Sequence, residues 1–412
     1  MEYENMFSED AAFDATRKGW QYFAFEDAEV LSQEGWHKVV MPYSAFKLLK
    51  KSADNSSETP ALNRFAGYRI EIVNKDQEVF DGGTVCVDEL KQLTSFEVVD
   101  NDARFTSMFI QLNYPYYNMT DWHQEFRDSK AIGIDTWIIQ AAGQLSNKDK
   151  ICFYKNSSMN WELKVDYIDR MFEAAEREGM KIILGLFPGH FTNYNFATQS
   201  CYNQLFKQHK ECFDELFAQY GNHPCLAGWY IPEEFHDGAG PWQKKAGLKE
   251  LAAYYEKVAA YVKTKSDKPV CIAPALWRGM PADIVGKWFE EFFFIAPSID
   301  FLYLQDCGGR VYSVWNFNAP PTYTGFFLTD ADVDLPNWYR EIKKACEKTG
   351  VEFGVDLESF REDTYGPKAW NDVLVQLQVA GMFTEHITNF SWNTFKKGTP
   401  GYNGYKAYLQ KN

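Results

Sequence analysis

The chain lacks the short signatures that mark metal and nucleotide sites. Its eight cysteines (Cys86, Cys152, Cys201, Cys212, Cys225, Cys271, Cys307, Cys346) form no C-x-x-C pair and follow no regular spacing. Several lie inside apolar runs, as Cys271 does in PVCIAPA, where cysteine behaves as a small buried hydrophobe. Neither a disulfide framework nor a zinc site is expected. The seven histidines include no H-x-H and no H-E-x-x-H arrangement, so no metal is assigned to the site. Glycine-rich phosphate loops are missing after every candidate strand, and no cofactor is expected. No apolar run approaches the roughly 20 residues of a membrane span. The opening segment, MEYENMFSED, is acidic and does not read as a signal peptide, so the protein is expected to be cytoplasmic or to have had a leader removed. Positive charge is also scarce. Lys and Arg total 42 against 57 Asp and Glu, giving a net charge of −15 that repels phosphate backbones. Nucleic acid and anionic membranes are therefore poor partners.

What is present is length and aromatic content. The 412 residues exceed the roughly 250 to 300 of one large barrel and leave room for a small extra module. A hydrophobic fraction of 45% against 24% charged suits a folded globular chain. Aromatic residues make up 17%, enough for a Phe- and Tyr-rich core and also for exposed rings on which sugar faces stack. Composition does not separate these two uses.

Residues 1–100 read as all-β, with short runs such as WQYFAF, WHKVVMPYSAF, YRIEIV and TVCVDEL separated by polar or glycine-bearing turns. These runs resemble the later strands of a carbohydrate-binding-type β-sandwich, truncated at its N-terminus. An accessory β-domain without a ligand fits them equally. From residue 104 to 412 the texture changes to apolar runs alternating with amphipathic helical segments, the signature of βαβ units. The strand candidates are FTSMFIQL (from Phe105), DTWIIQ (from Asp135), KIILGL (from Lys181), LAGWYI (from Leu226), PVCIAPA (from Pro269), FLYLQ (from Phe301), VEFGVDL (from Val351) and HITNFSW (from His386). Eight is the count that closes a (β/α)8 TIM barrel, so the fold class is α/β, a barrel preceded by a small β-domain. An open doubly wound sheet is the competing topology, and the missing phosphate loop counts against it.

Barrel sites form at the C-terminal ends of the strands. The fourth candidate runs into Pro232, Glu233, Glu234 and Phe235, and the seventh into Glu358, Ser359 and Phe360. Side chains alternate along a strand, so Gly354, Asp356 and Glu358 share the inward face of strand seven. Tyr230 and Glu234 share the inward parity of strand four, whereas Glu233 does not. Two carboxyl groups meeting in one cleft are what glycoside hydrolysis requires: one protonated to supply the leaving oxygen, one ionised to attack the anomeric carbon.

The residues G-W-Y-I-P-E-E-F resemble the strand-four signature of the clan A retaining glycoside hydrolases. The glutamate of G-V-D-L-E-S-F falls where that clan has its nucleophile, and Trp392 in N-F-S-W falls where strand eight ends in a sugar-platform tryptophan. Residues 104 to 410 as a whole resemble an uncharacterised bacterial family, a domain of unknown function allied to this clan. The resemblance implies Glu234 as general acid/base and Glu358 as nucleophile, an exported protein, and retention of anomeric configuration. Their carboxyl groups would then lie about 5 to 5.5 Å apart. Glu233 stands where the clan has the asparagine that binds the sugar 2-hydroxyl. An apolar wall of Tyr230 or Phe235 would help Glu234 keep its proton.

Other strand-end residues are candidate substrate contacts: Gln111 and Asn113 after strand one, Gln140 after strand two, His190 after strand three, and Tyr303, Gln305 and Asp306 on strand six. Trp277 after strand five and Trp315, Tyr312 and Tyr323 in the long aromatic loop after strand six are candidate sugar platforms. The expected partner is a carbohydrate substrate, with oligomeric state open and a monomer acceptable. A non-catalytic glycan-binding barrel is the rival reading, and a lyase or transglycosylase a third.

Overall fold

The computed structural model describes residues 21–24, 47–51, 101–145, 150–156, 158–187, 199–235, 245–275, 282–308, 331–361 and 364–411. The chain divides into two units, Met1–Glu97 and Val98–Asn412. In the first, strands Gln21–Ala24 and Lys47–Lys51 pair antiparallel. The remainder of the expected β-sandwich lies outside the described residues.

The second unit is a closed barrel of eight parallel strands, each bonded to the next in sequence and the last to the first. They are β1 (Ser107–Ile110), β2 (Thr136–Ile139), β3 (Lys181–Gly185), β4 (Leu226–Tyr230), β5 (Val270–Ile272), β6 (Phe301–Gln305), β7 (Glu352–Glu358) and β8 (Ile387–Phe390). All eight expected runs contain a barrel strand. Closure is made by the pairs Thr388↔Ser107 and Asn389↔Met108.

A helix follows every strand: α1 (Trp122–Lys130), α2 (Tyr167–Glu178), α3 (Gln199–Tyr220), α4 (Lys245–Lys263), α5 (Ala282–Ile295), α6 (Ala331–Thr349), α7 (Trp370–Gly381) and α8 (Trp392–Phe395), with α9 (Pro400–Leu409) after it. The sequence sets their ends. Asp121 caps α1 by accepting from the N–H groups of His123 and Gln124. Gly179 ends α2 at φ +66°, a left-handed conformation that costs glycine little. Among the described residues no helix is long and apolar enough to cross a membrane.

The strands bury both faces, which is why they read as nearly continuous apolar runs. Outward, Trp137, Trp229, Val355 and Leu357 pack beneath the helices with no measurable exposure. Inward, Phe109, Ile138, Ile183, Tyr230, Cys271, Ala273 and Tyr303 form one cluster, with Phe301 and Phe390 against it. The rings of Phe301 and Tyr303 stack at 4.4 Å and occupy the space beside Gly354. A Cβ on Gly354 would lie 2.8 Å from Phe301 and 3.0 Å from Tyr303, so glycine is required there. This packed floor leaves only the strand ends open to chemistry.

Candidate active site

Strands four and seven are separated by two strands around the barrel; a glutamate ends the seventh, and another follows four residues beyond the fourth. Glu358 is the last residue of β7, in register with Phe390 of β8, and is 1% exposed. Its backbone N–H donates to Asp306 Oδ1 at 2.9 Å. Glu234 is half-buried in the extended segment 231–235 beyond β4. Its Oε1 accepts from Gln140 Nε2 at 3.1 Å, which brings together the ends of β2 and β4.

The backbone presenting Glu234 is pinned on either side. Ile231 N–H donates to the Cys271 carbonyl at 3.0 Å, and Ala275 N–H to the Phe235 carbonyl at 2.9 Å. The Tyr255 hydroxyl of α4 donates to the Glu233 carbonyl at 2.5 Å. Beneath Glu234, burial raises the Tyr230 phenol well above its usual range, and the charges of Glu234 and Asp356 push it further. Burial also pushes Tyr303 up, with Asp356 again contributing. Both phenols therefore remain protonated donors at neutral pH. The Tyr230 hydroxyl has no hydrogen-bond partner among the described residues.

Several expected sugar contacts are placed elsewhere. Glu233 is directed into the helix layer, where its Oε2 lies 2.6 Å from His209 Nε2 of α3 and its side chain has 0% exposure. An extended chain sends successive side chains to opposite sides, so Glu233 points away from the cleft when Glu234 faces it. Glu233, also a candidate substrate contact, is thus turned to His209. Asp306 is 2% exposed, and both its oxygens are used: Oδ1 by the N–H groups of Glu358 and Gly308, Oδ2 by Gln376 Nε2 at 2.5 Å. It holds backbone and offers no free oxygen to a ligand. Gln305 is also buried, and donates to the Ala273 carbonyl at 2.7 Å.

Trp392, expected as a sugar platform, is covered. The indole is 1% exposed, tilted against Trp137 at 5.1 Å, and its N–H donates to Glu125 of α1 at 2.5 Å. Only its margin lines a 360 Å³ hollow shared with Tyr116, Asn393 and Lys396. A ring so covered has no face for a pyranose. Phe390, two residues earlier, is the aromatic side chain on the inward face, packed on Phe109 at 5.7 Å and half-buried.

Gln111 is half-buried at the end of β1, its backbone clasped by Asn393, whose Oδ1 accepts from the Gln111 N–H at 3.3 Å and whose Nδ2 donates to its carbonyl at 3.2 Å. Asn113 is exposed beside it. Tyr303 belongs to the barrel floor. His190, Trp277, Tyr312, Trp315 and Tyr323 lie outside the described residues. The sequence reading missed His209, Lys368, Gln376 and Phe390. Among the described residues no group of three or more His, Cys, Asp or Glu side chains is arranged to hold a metal ion.

Residues 108–403 match the model of a family described as a domain of unknown function, DUF4434. The chain belongs to the DUF4434 family. The resemblance seen in the sequence, to an uncharacterised barrel family, is thereby borne out. No curated protein matches the chain in sequence. Among solved structures, a protein assigned as an alpha-L-fucosidase from Bacteroides thetaiotaomicron VPI-5482 superposes with a TM-score of 0.60 at 18% identity, covering 79% of this chain and 100% of that one. The endo-1,4-beta-D-mannanase of Thermotoga petrophila RKU-1 superposes with a TM-score of 0.49 at 11% identity, covering 75% of this chain and 100% of that one. At such identities the likeness to the Bacteroides structure shows a shared barrel fold and nothing finer.

Proposed function

We propose that this DUF4434 barrel is a retaining glycoside hydrolase acting on an oligo- or polysaccharide. The supporting observation is the pair of glutamates at the C-terminal ends of β4 and β7, Glu234 just past β4 and Glu358 at the end of β7, each held by a dedicated polar partner: Gln140 on the Glu234 carboxyl, Asp306 on the Glu358 backbone. In this reading the Glu358 carboxylate attacks the anomeric carbon. The glycosidic C–O bond breaks, and Glu234 delivers its proton to the departing oxygen. Glu234, now ionised, takes a proton from water. The water oxygen bonds to the anomeric carbon and releases Glu358. Gln140 would orient the acid/base carboxyl.

A panel of aryl glycosides tests this directly. The expected result is cleavage of at least one substrate with retained configuration by proton NMR, abolished by Glu358→Gln and reduced about 10²- to 10⁴-fold by Glu234→Gln. Full activity of Glu358→Gln would remove the nucleophile assignment. Inversion would require the two carboxyl groups to be farther apart, about 6.5 to 9.5 Å. A second reading, a glycan-binding barrel without turnover, draws support from the 1% exposure of Glu358. Binding on a glycan array with no cleavage across the panel would favour it.

A further inference from the structure

Glycosidase chemistry accounts for the Glu358 carboxylate but not for the polar side chains behind it, two of them buried and the third, a lysine, half-buried. Asp306 follows β6, Lys368 precedes α7, and Gln376 lies within α7. Lys368 Nζ, a donor only, reaches the Gln376 Oε1 at 2.5 Å and the Gly308 carbonyl at 3.0 Å. That contact fixes the Gln376 amide with its nitrogen turned the other way, to Asp306 Oδ2 at 2.5 Å and to the Glu358 carbonyl at 3.4 Å. Asp306 then faces donors alone: Gln376 Nε2, the Glu358 N–H and the Gly308 N–H. Both peptide groups of Glu358 are thereby held by the same two side chains.

There is no slack in this arrangement. A Cβ on Gly308 would lie 1.9 Å from Gln376 Nε2, so loop and amide are in contact as they stand. The Lys368 N–H also donates to the Ser359 carbonyl at 2.9 Å, tying the cation's own backbone to the residue after Glu358. Burying an aspartate and an amide costs stability that an apolar trio would not. A cost of that kind is explained by what the groups orient.

We infer that Lys368, Gln376 and Asp306 form a polarised bracket that sets the backbone, and with it the aim, of Glu358. These are positioning residues, and their effect on turnover rests on the reading of Glu358 as nucleophile. The hydrogen-bond direction runs one way, from the ammonium through the amide to the carboxylate. Reversing one link therefore frustrates the others.

Gln376→Glu makes that reversal in nearly the same volume, placing acceptors against Asp306 and the Glu358 carbonyl. Lys368→Met removes the cation, Lys368→Arg retains it, and Gln376→Met serves if the glutamate variant fails to fold. Amide hydrogen exchange by mass spectrometry on the full chain reads the bracket without any substrate. The expected result for Gln376→Glu and Lys368→Met is about tenfold faster exchange confined to the peptide carrying Glu358. Kinetics on the aryl glycoside that the wild type cleaves should show kcat lowered by about a hundredfold, KM within a factor of three, and recovery in Lys368→Arg. Unchanged exchange at Glu358, or exchange raised uniformly through the barrel, overturns the bracket whatever the activity. Localised exchange with kcat unchanged overturns its link to turnover. If no aryl glycoside is cleaved, or Glu358→Gln stays active, the glycosidase reading falls and the exchange result still decides the bracket.

Discussion

Replacing His209 by leucine should destabilise the barrel severely, and replacing Glu233 as well should restore much of the loss. The two side chains meet at 2.6 Å with 1% and 0% exposure, between α3 and the end of β4. Phe187 and Tyr254 pack around the imidazole at ring separations of 5.9 and 6.2 Å, which limits the entry of water. His209→Leu leaves the Glu233 carboxyl in that enclosure without its partner, and breaking a buried pair from one side costs about 3 to 5 kcal/mol. Large domains lose about 2 °C of Tm per kcal/mol, so the single variant should melt about 6 to 10 °C lower. In His209→Leu/Glu233→Leu no buried polar group is left without its partner, and an apolar pair of similar volume is often neutral or better. Circular dichroism melts of both single variants and the double variant complete the cycle, and the coupling should exceed about 1 kcal/mol. Additive losses, or a wild-type melt for His209→Leu, would refute the reasoning. The same placement predicts that Glu233→Gln keeps kcat near wild type while Glu234→Gln does not.

Three further outcomes follow. Trp392→Phe removes the N–H bond to Glu125 and should cost about 1.5 to 3 kcal/mol in denaturant unfolding, with KM unchanged because the ring is covered. Phe390→Ala should instead raise KM for any bound glycan, and an unchanged KM would show that the inward ring is only packing. Burial raises the Asp306 carboxyl above its usual range, with the Lys368 charge opposing the rise. The folded protein thus holds that proton to a higher pH than the unfolded chain, so the stability contributed is full below the ordinary carboxylate value and lost as pH climbs through the native one. Urea titrations between pH 3 and 8 should show this loss moved to higher pH in Lys368→Met. A superimposable profile would sink the assignment.

The barrel was legible because each strand is buried on both faces and each helix on one, so periodicity alternates cleanly along residues 104 to 410. Alternation also separated Tyr230 from Trp229 and Glu234 from Glu233. It carries past the end of β4, but at the ends of β6 and β8 the expected contacts Gln305, Asp306 and Trp392 lie at or past the last strand residue. Trp392 begins α8, where direction is set by the helix, whereas the alternating position is Phe390. Gln305 and Asp306 were read as ligand contacts because polar residues at strand ends commonly are. Here their partners are the Ala273 carbonyl, the Glu358 N–H and Gln376, none of them adjacent in sequence. His209 carried a usable signal: with Tyr202, Leu205, Cys212, Phe213 and Leu216 it lies on the buried stripe of α3. A histidine on such a stripe requires a buried partner. Gln376, between buried Val373 and Leu377 on α7, carried the same signal.

The two glutamates share a mode of support that neither motif discloses. Glu234 is aimed by its neighbours: Glu233 is anchored to His209 by side chain and to Tyr255 by carbonyl, and Phe235 is anchored to Ala275. Glu358 is aimed through its own peptide groups, gripped by Asp306 and Gln376. In both cases the backbone is fixed by a helix side chain together with the segment beyond a neighbouring strand. Sites carried on braced strand ends hold their geometry more tightly than sites on loops. Glu233, turned to His209 and held by Tyr255, thus serves as an anchor for the backbone that carries Glu234.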